Sequence, residues 1–335
     1  MSALDQLPGP ERALLRPCSQ PDWIEPMLAT LTDERFSRAG WLFERKLDGE
    51  RCLAFRRGDS VRLVSRNRQP LAPTYPELVD ALAAQPSGDF VVDGEIVAFE
   101  GRATSFARLQ RRMQLRTPEQ ARASGVTVFL YLFDLLHLDG HDTTQLPLRR
   151  RKSLLRSAVA FDDPLRLTAH RDTEGETAFG QACRRGWEGL IAKRADAPYR
   201  PGRSTDWLKF KCVHEQEFVV GGYTEPHGRR IGLGALLVGY HDERGRLRYA
   251  GKVGTGFDDA SLHELAARLA TLEQDGPPFD GAGLPRRDVH WVRPELVAQI
   301  GFTEVTRDGR LRHPRFHGLR RDKAPAQVTL ERPAA

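Results

Sequence analysis

The sequence predicts an α+β protein of two domains, the first built on a largely antiparallel sheet and the second a small β-barrel. Three observations predict it. From Trp41 onward, short strands recur between turn dipeptides. Helices interrupt them without a strict βαβ repeat, which argues against a doubly wound parallel sheet. After about Glu215 the pattern becomes glycine-separated strands with one interposed helix, which suits a barrel of the OB type.

Taken in order, residues 1–21 carry several prolines and little periodicity, so they read as an N-terminal extension or a peripheral turn of helix. Residues 42–46 run into the Asp48-Gly49 turn, then strand 52–55, the turn 57–59 and strand 61–64, a meander. A short helix is expected over 75–84, opened by Thr74, then a strand over 90–99 and a helix over 104–114. A long apolar strand covers 126–136, a basic amphipathic helix 149–159 and a further helix 173–185, with strands at 190–194 and 207–212. The barrel strands are expected at 218–223, 234–240 and 247–253. A helix at 258–273, a Pro/Gly linker at 276–288 and strands near 289–292 and 296–305 follow. The boundaries expected are 22–213 and 214–335.

Composition narrows the class. Of 335 residues 40% are hydrophobic and 29% charged, an ordinary globular balance, and no run approaches the ~20 apolar residues of a membrane span. The N-terminus lacks an apolar signal core, so a cytoplasmic protein without membrane attachment is expected. Cys18, Cys52, Cys183 and Cys212 form no CxxC pair. They argue against a cysteine zinc site or disulfide framework and are expected to be reduced thiols. A net charge of +6 suits a polyanionic partner without proving one. The stretch 307–323 concentrates that charge, with seven Arg/Lys against two Asp.

Four short elements carry candidate chemistry. In Glu44-Arg45-Lys46-Leu47-Asp48-Gly49, Lys46 is a nucleophile if its amine is deprotonated, and period 2 sets Glu44 on its strand face. Taken alone, this segment also fits a solvated turn. In Asp93-Gly94-Glu95 two carboxylates share one face of an otherwise apolar strand, which suits metal or ribose binding or an exposed sheet face. The glycine between them would let a ligand approach. Glu188 precedes a strand that contains Lys193, a metal ligand beside a phosphate-binding lysine or an ordinary strand entry. Lys209 and Lys211 share one strand face, where two ammonium groups repel unless anions or solvent intervene.

Their order and spacing resemble the covalent nucleotidyltransferase superfamily over roughly residues 22 to 325. Within it the sequence is most similar to ATP-dependent DNA ligases and to the ligase module of bacterial non-homologous end-joining enzymes. KLDGER at 46–51, Ser65-Arg66-Asn67, DGE at 93–95, Tyr131-Leu132-Phe133-Asp134, EGLIAKR at 188–194, LKFK at 208–211 and Arg320-Arg321-Asp322-Lys323 carry the resemblance. It implies a nucleotidyltransferase domain followed by an OB-fold, with AMP attached to Lys46 and passed to a 5′-phosphate before nick sealing. By that resemblance Glu188 holds a metal ion (Mg²⁺ or Mn²⁺), Glu95 binds ribose or metal, and Phe133 stacks on adenine. Arg51 and Arg66 suit the ribose and the nick 5′-phosphate. Lys193, Lys209 and Lys211 meet the phosphates, the last two also helping to keep Lys46 neutral. Arg320, Asp322 and Lys323 would serve the first step, the two cations clamping the leaving pyrophosphate while the barrel closes. A carboxylate at Glu44 accepts from the adenine amino group and repels guanine O6, which favours ATP. The expected partner is nicked double-stranded DNA, met by a monomer and with a Ku homodimer as recruiting protein. Rival readings are an RNA ligase, an mRNA-capping-type transferase, or a non-catalytic nucleic-acid-binding barrel. An NAD-dependent ligase is disfavoured by the lack of its zinc cysteines and extra domains.

Overall fold

In the computed structural model the described residues are 3–212, 214–226, 232–281, 283–285, 287–306 and 308–331. The chain divides into one unit ending at Cys212 and another covering Val213–Arg332.

The principal elements of the first unit are strands β1 (Met27–Leu31), β2 (Trp41–Lys46), β3 (Glu50–Arg57), β4 (Ser60–Ser65), β5 (Asp89–Glu100), β6 (Val128–Leu138), β7 (His170–Arg171), β8 (Gly189–Arg194) and β9 (Gly202–Lys211). Between them lie helices α1 (Pro76–Ala83), α2 (Phe106–Met113), α3 (Leu148–Ala158) and α4 (Gly175–Arg184). One sheet runs β6-β5-β3-β4, all antiparallel. The alternation of β5 divides its side chains: Val92, Ile96 and Ala98 enter the core under α1, α2 and α3, whereas Val91 points to the opposite face. That opposite face, with Leu53, Phe55 and Phe133, packs against Trp207 and Ile191 of the second sheet. The second sheet runs β7-β2-β8-β9-β1, parallel only between β9 and β1. Its outer face, Phe43, Leu190, Ala192 and Phe210, is sealed by Ala178 and Ala182 of α4. The two sheets therefore face one another with polar side chains of β2, β8, β5 and β3 between them.

The second unit, by itself, contains β10 (His214–Thr224), β11 (Leu236–His241), β12 (Leu247–Val253), helix α5 (Asp259–Ala270), β13 (Val289–Phe302) and β14 (Arg315–Arg320). The sheet order is β12-β11-β10-β13, with β14 on the far side of β13. A bridge from Thr255, just past β12, to Arg315 on β14 curls the sheet towards closure. Helix α5 starts on an Asp258–Ser261 capping box and buries Leu262, Leu265 and Leu269 into that core.

Several expectations are corrected here. Residues 3–21 carry the expected turns of helix, at Ala3–Gln6 and Gly9–Arg12, but they are packed in rather than extending away: Leu4 and Leu7 join the main core, and Arg16–Pro17 pairs with His141–Asp142. Cys183 and Cys212 form a disulfide, leaving Cys18 and Cys52 as free thiols. The strands expected near 289–292 and 296–305 are one strand to Phe302 plus a two-residue strand Glu304–Val305. The apparent break at Arg293-Pro294 is where pairing with β10 shifts, between Val220 and Gly222, so the chain bulges without leaving the sheet. Strand β14 was hidden by its charge, although Phe316 and Leu319 are buried. Arg307 of the basic stretch lies outside the described residues. No helix among the described residues is long and apolar enough to cross a membrane.

Candidate active site

Register alone assembles the centre of the site. On the inner face of the second sheet, Lys46 of β2 lies opposite Gly189 of β8, which lies opposite Lys211 of β9. One step along, Glu44, Ile191 and Lys209 form a row, and Leu42, Lys193 and Trp207 form the next. Gly189 has a φ of +151°, and a Cβ there would sit 1.8 Å from the Phe210 carbonyl oxygen. Only glycine fits, so the row between Lys46 and Lys211 carries no central side chain. The sequence thus concentrates Lys46, Lys193, Lys209 and Lys211 on one face, with Glu44 and Glu188 beside them.

Lys46 Nζ is 2.5 Å from Glu188 Oε1. Burial pushes the ammonium towards neutrality, but Glu188, with Asp48 and Glu95 behind it, outweighs burial and holds the group above its ordinary value. The expectation that Lys209 and Lys211 keep Lys46 neutral is therefore corrected for the nucleotide-free protein, where the dominant neighbour is an anion. Glu188 Oε2 is buried and has no hydrogen-bond partner. A buried acceptor-only atom of this kind fits a metal ion. Among the described residues no group of three His, Cys, Asp or Glu could hold a cation alone. A metal there would need phosphate oxygens or water to complete its shell.

Glu44 is 2% exposed, and both its oxygens are occupied. Lys152 Nζ of α3 donates to Oε1 at 2.5 Å, and Lys193 Nζ lies 2.6 Å from Oε2. The expected open acceptor for an adenine amino group is thus replaced by a closed ion triad. Lys193 is brought down to about 8, by burial and the Lys152 charge against the pull of Glu44. Lys152 was not foreseen, because nothing in the basic helix pattern singles out one lysine to meet a strand 108 residues away.

Facing these rows, the first sheet offers Arg51, Asp93, Glu95, Tyr131 and Phe133. Arg51 forks onto Asp93 at 2.5 and 2.6 Å, and Asp93 also accepts from Tyr199 Oη at 2.6 Å. Asp93, fully buried, is therefore a structural anchor for Arg51. Gly94 serves the strand pairing: a Cβ would meet the Tyr131 carbonyl oxygen at 2.8 Å, where the β5–β6 register shifts. The idea that it admits a ligand is corrected. Glu95, partly exposed, lies opposite both Arg51 and Tyr131. Arg66 lies in the turn after β4.

Phe133 is only 7% exposed, with Trp207 edge-on at 6.0 Å and the cations of Lys193 and Arg51 over its ring at 4.1 and 4.6 Å. It offers no open face to a base. A cavity of about 340 Å³ lies beside the nucleophile strand, lined by Arg45, Leu47, Tyr131, Thr168 and His170 together with Phe43, Ala178 and Leu190 of the outer face. Arg45 and Leu47 flank Lys46 in the chain, and Tyr131 lies two residues before Phe133 on the same strand. Arg45 Nε and Nη2, Thr168 Oγ1 and His170 Nδ1 are buried without hydrogen-bond partners.

In the second unit Arg320 forks onto Asp322 at 2.8 and 2.7 Å, and Lys323 donates to Glu217 at 3.0 Å.

Comparison with known proteins defines the class. The ATP dependent DNA ligase domain model matches residues 26–211, and the ATP dependent DNA ligase C terminal region matches 229–323. The chain belongs to the ATP-dependent DNA ligase family. It is 40% identical over 322 residues to the multifunctional non-homologous end joining protein LigD of Pseudomonas aeruginosa, covering 94% of this chain and 37% of that protein. To the LigD of Mycobacterium tuberculosis it is 38% identical, covering 92% of this chain and 40% of that protein. The chain thus spans well under half the length of these curated relatives. Among solved structures, mycobacterial DNA ligase D complexed with ATP and MES aligns with a TM-score of 0.64 at 35% identity, covering 91% of this chain and 98% of that one. The α+β architecture with an OB-type second domain agrees with that match.

Proposed function

We propose that this chain seals 5′-phosphate/3′-hydroxyl nicks in double-stranded DNA, using ATP and an AMP carried on Lys46. The observation that carries the proposal is the Lys46–Glu188 pair at 2.5 Å, set on a sheet face shared with three further lysines. A nucleophilic amine, an acid able to take a metal and a concentration of cations are what phosphoryl transfer requires.

Lys46 starts as an ammonium held by Glu188. When Glu188 turns to a new partner the ammonium loses the anion that holds its proton and releases that proton to solvent, leaving a neutral, nucleophilic amine; the unpartnered Oε2 suits Glu188 to turn. A Mg²⁺ or Mn²⁺ ion held by Glu188 and the phosphate oxygens would supply charge neutralisation there. Lys46 Nζ then forms a bond to the α-phosphorus while the bond to the departing pyrophosphate breaks. Lys209 and Lys211, both two strands across on β9, meet the growing negative charge. AMP passes next to a 5′-phosphate, and the 3′-hydroxyl displaces it to close the strand. Glu95 and Arg51 would meet the ribose side and Arg66 the nick phosphate. Arg320 and Lys323 would serve the first step, with Asp322 orienting Arg320. The names of the relatives favour break repair by end joining, with a Ku homodimer as recruiting partner.

The deciding assay is sealing of a nicked duplex with ATP or GTP, on all-DNA strands and on strands with RNA at the nick. ATP-dependent closure of the all-DNA nick is expected. Closure only with RNA strands, or GTP capping of an RNA end, would replace this reading with an RNA ligase or a capping transferase.

A further inference from the structure

The Lys152–Glu44–Lys193 triad holds three buried charged groups, two cations against one anion, and no step above uses Lys152. The two lysines differ in how they are held. Lys152 also donates to the Thr168 carbonyl oxygen at 3.1 Å. Its helix is fixed next door, where Arg151 forks onto the fully buried Asp134 at 2.6 and 2.9 Å. Among the described residues Lys193 is held by the Glu44 ion pair and lies over the ring faces of Phe133 and Trp207, at 4.1 and 4.0 Å. It also shares its sheet face with Lys46, Lys209 and Lys211.

We propose that Lys152 is a positioning residue, the fixed counter-ion of Glu44 that frees Lys193 to turn to the bound nucleotide. A buried carboxylate stripped of its partner is strongly disfavoured. With Lys152 in place, Glu44 keeps one ammonium when Lys193 leaves. Without Lys152, Lys193 is the sole counter-ion and stays on Glu44. The repulsion between the two ammonium groups acts in the same direction, since it weakens the hold of Glu44 on Lys193. Lys152 also ties the strand of the nucleophile to Thr168, so its loss loosens the hold on that strand.

This inference rests on the ligase reading, and its test separates the two. Single-turnover transfer of label from α-labelled ATP to the intact chain is measured against ATP concentration, reading amplitude and half-saturation separately. Lys152→Met is expected to raise the half-saturating ATP concentration by about tenfold or more, as for loss of a charge-assisted contact. The double variant Glu44→Gln/Lys152→Met, which no longer needs a counter-ion, should recover to within about threefold of Glu44→Gln alone. A Lys152→Met protein that loses amplitude but keeps wild-type half-saturation has lost only folded enzyme, and overturns the proposal. So does a double variant that recovers nothing. If Lys152→Met does not fold, Lys152→Gln, which keeps a donor to Glu44 and Thr168, is read by the same criteria. No label on the wild-type chain overturns the ligase reading, and this inference with it.

Discussion

Glu44 concentrates the chemistry of the site at the scale of one residue. Burial alone would raise its carboxyl pKa, but Lys152 and Lys193 overcome burial and hold it below the ordinary value. A carboxyl depressed on folding contributes stability that is present above its unfolded value, about 4.3 for Glu, and is lost as pH falls through the lower folded value. Melting temperature should therefore fall on acidification below about pH 4.3, and fall less in Glu44→Gln than in the wild type. Equal acid loss in both proteins would remove Glu44 from the acid response. The sequence displayed half of this. Lys46, Glu44 and Asp48 stand within one short segment, so strand period was enough to relate them. Lys152 stands 108 residues from Glu44 and is one of several cations on its helix, so only folding selects it. Glu188 was legible as an acid beside a strand. That it would hold Lys46 protonated was not, because a contact between strand ends leaves no spacing to read.

Among the elements, the β8–β9 hairpin carries the largest share of the site: Lys193, Lys209 and Lys211, with Glu188 at its entrance. The Cys183–Cys212 bond, across a separation of 29 residues, closes a loop that contains all four. The backbone N–H of Cys212 also donates to the Glu188 carbonyl oxygen at 2.9 Å, so the bond is made where the Lys46 partner is held. A cross-link over a loop of this length stabilises by about 2–4 kcal/mol, largely through the unfolded chain. Reduction should lower the melting temperature of the wild type by several degrees and leave Cys183→Ser unmoved, as differential scanning under oxidising and reducing conditions would report. A wild-type melt indifferent to reductant would contradict a formed bond. Strand alternation had made most of the surrounding elements legible, including β5, β6 and β12. The disulfide was not, because spacing in sequence says nothing about two Cα atoms 5.2 Å apart on different elements. Strand β14 escaped for another reason: its arginines mask a buried Phe316, Gly318 and Leu319.

Over the whole molecule, the two-part architecture and the order of the motifs were the most legible features. Each motif is local, and the spacing between motifs is set by strands and helices whose periods the sequence displays. What stayed hidden is the way side chains divide the work inside the cleft. Phe133, expected at the base, is packed under two cations. The alternation that puts the ring on one face cannot say that it is covered. The central claim nevertheless falls on one atom, Lys46 Nζ. Incubating the chain with α-labelled ATP and a divalent metal, then resolving it under denaturing conditions, tests that atom directly. The account predicts label bound through an acid-labile phosphoramidate on the wild type and none on Lys46→Ala; label retained by Lys46→Ala, or absent from a folded wild type, would contradict it.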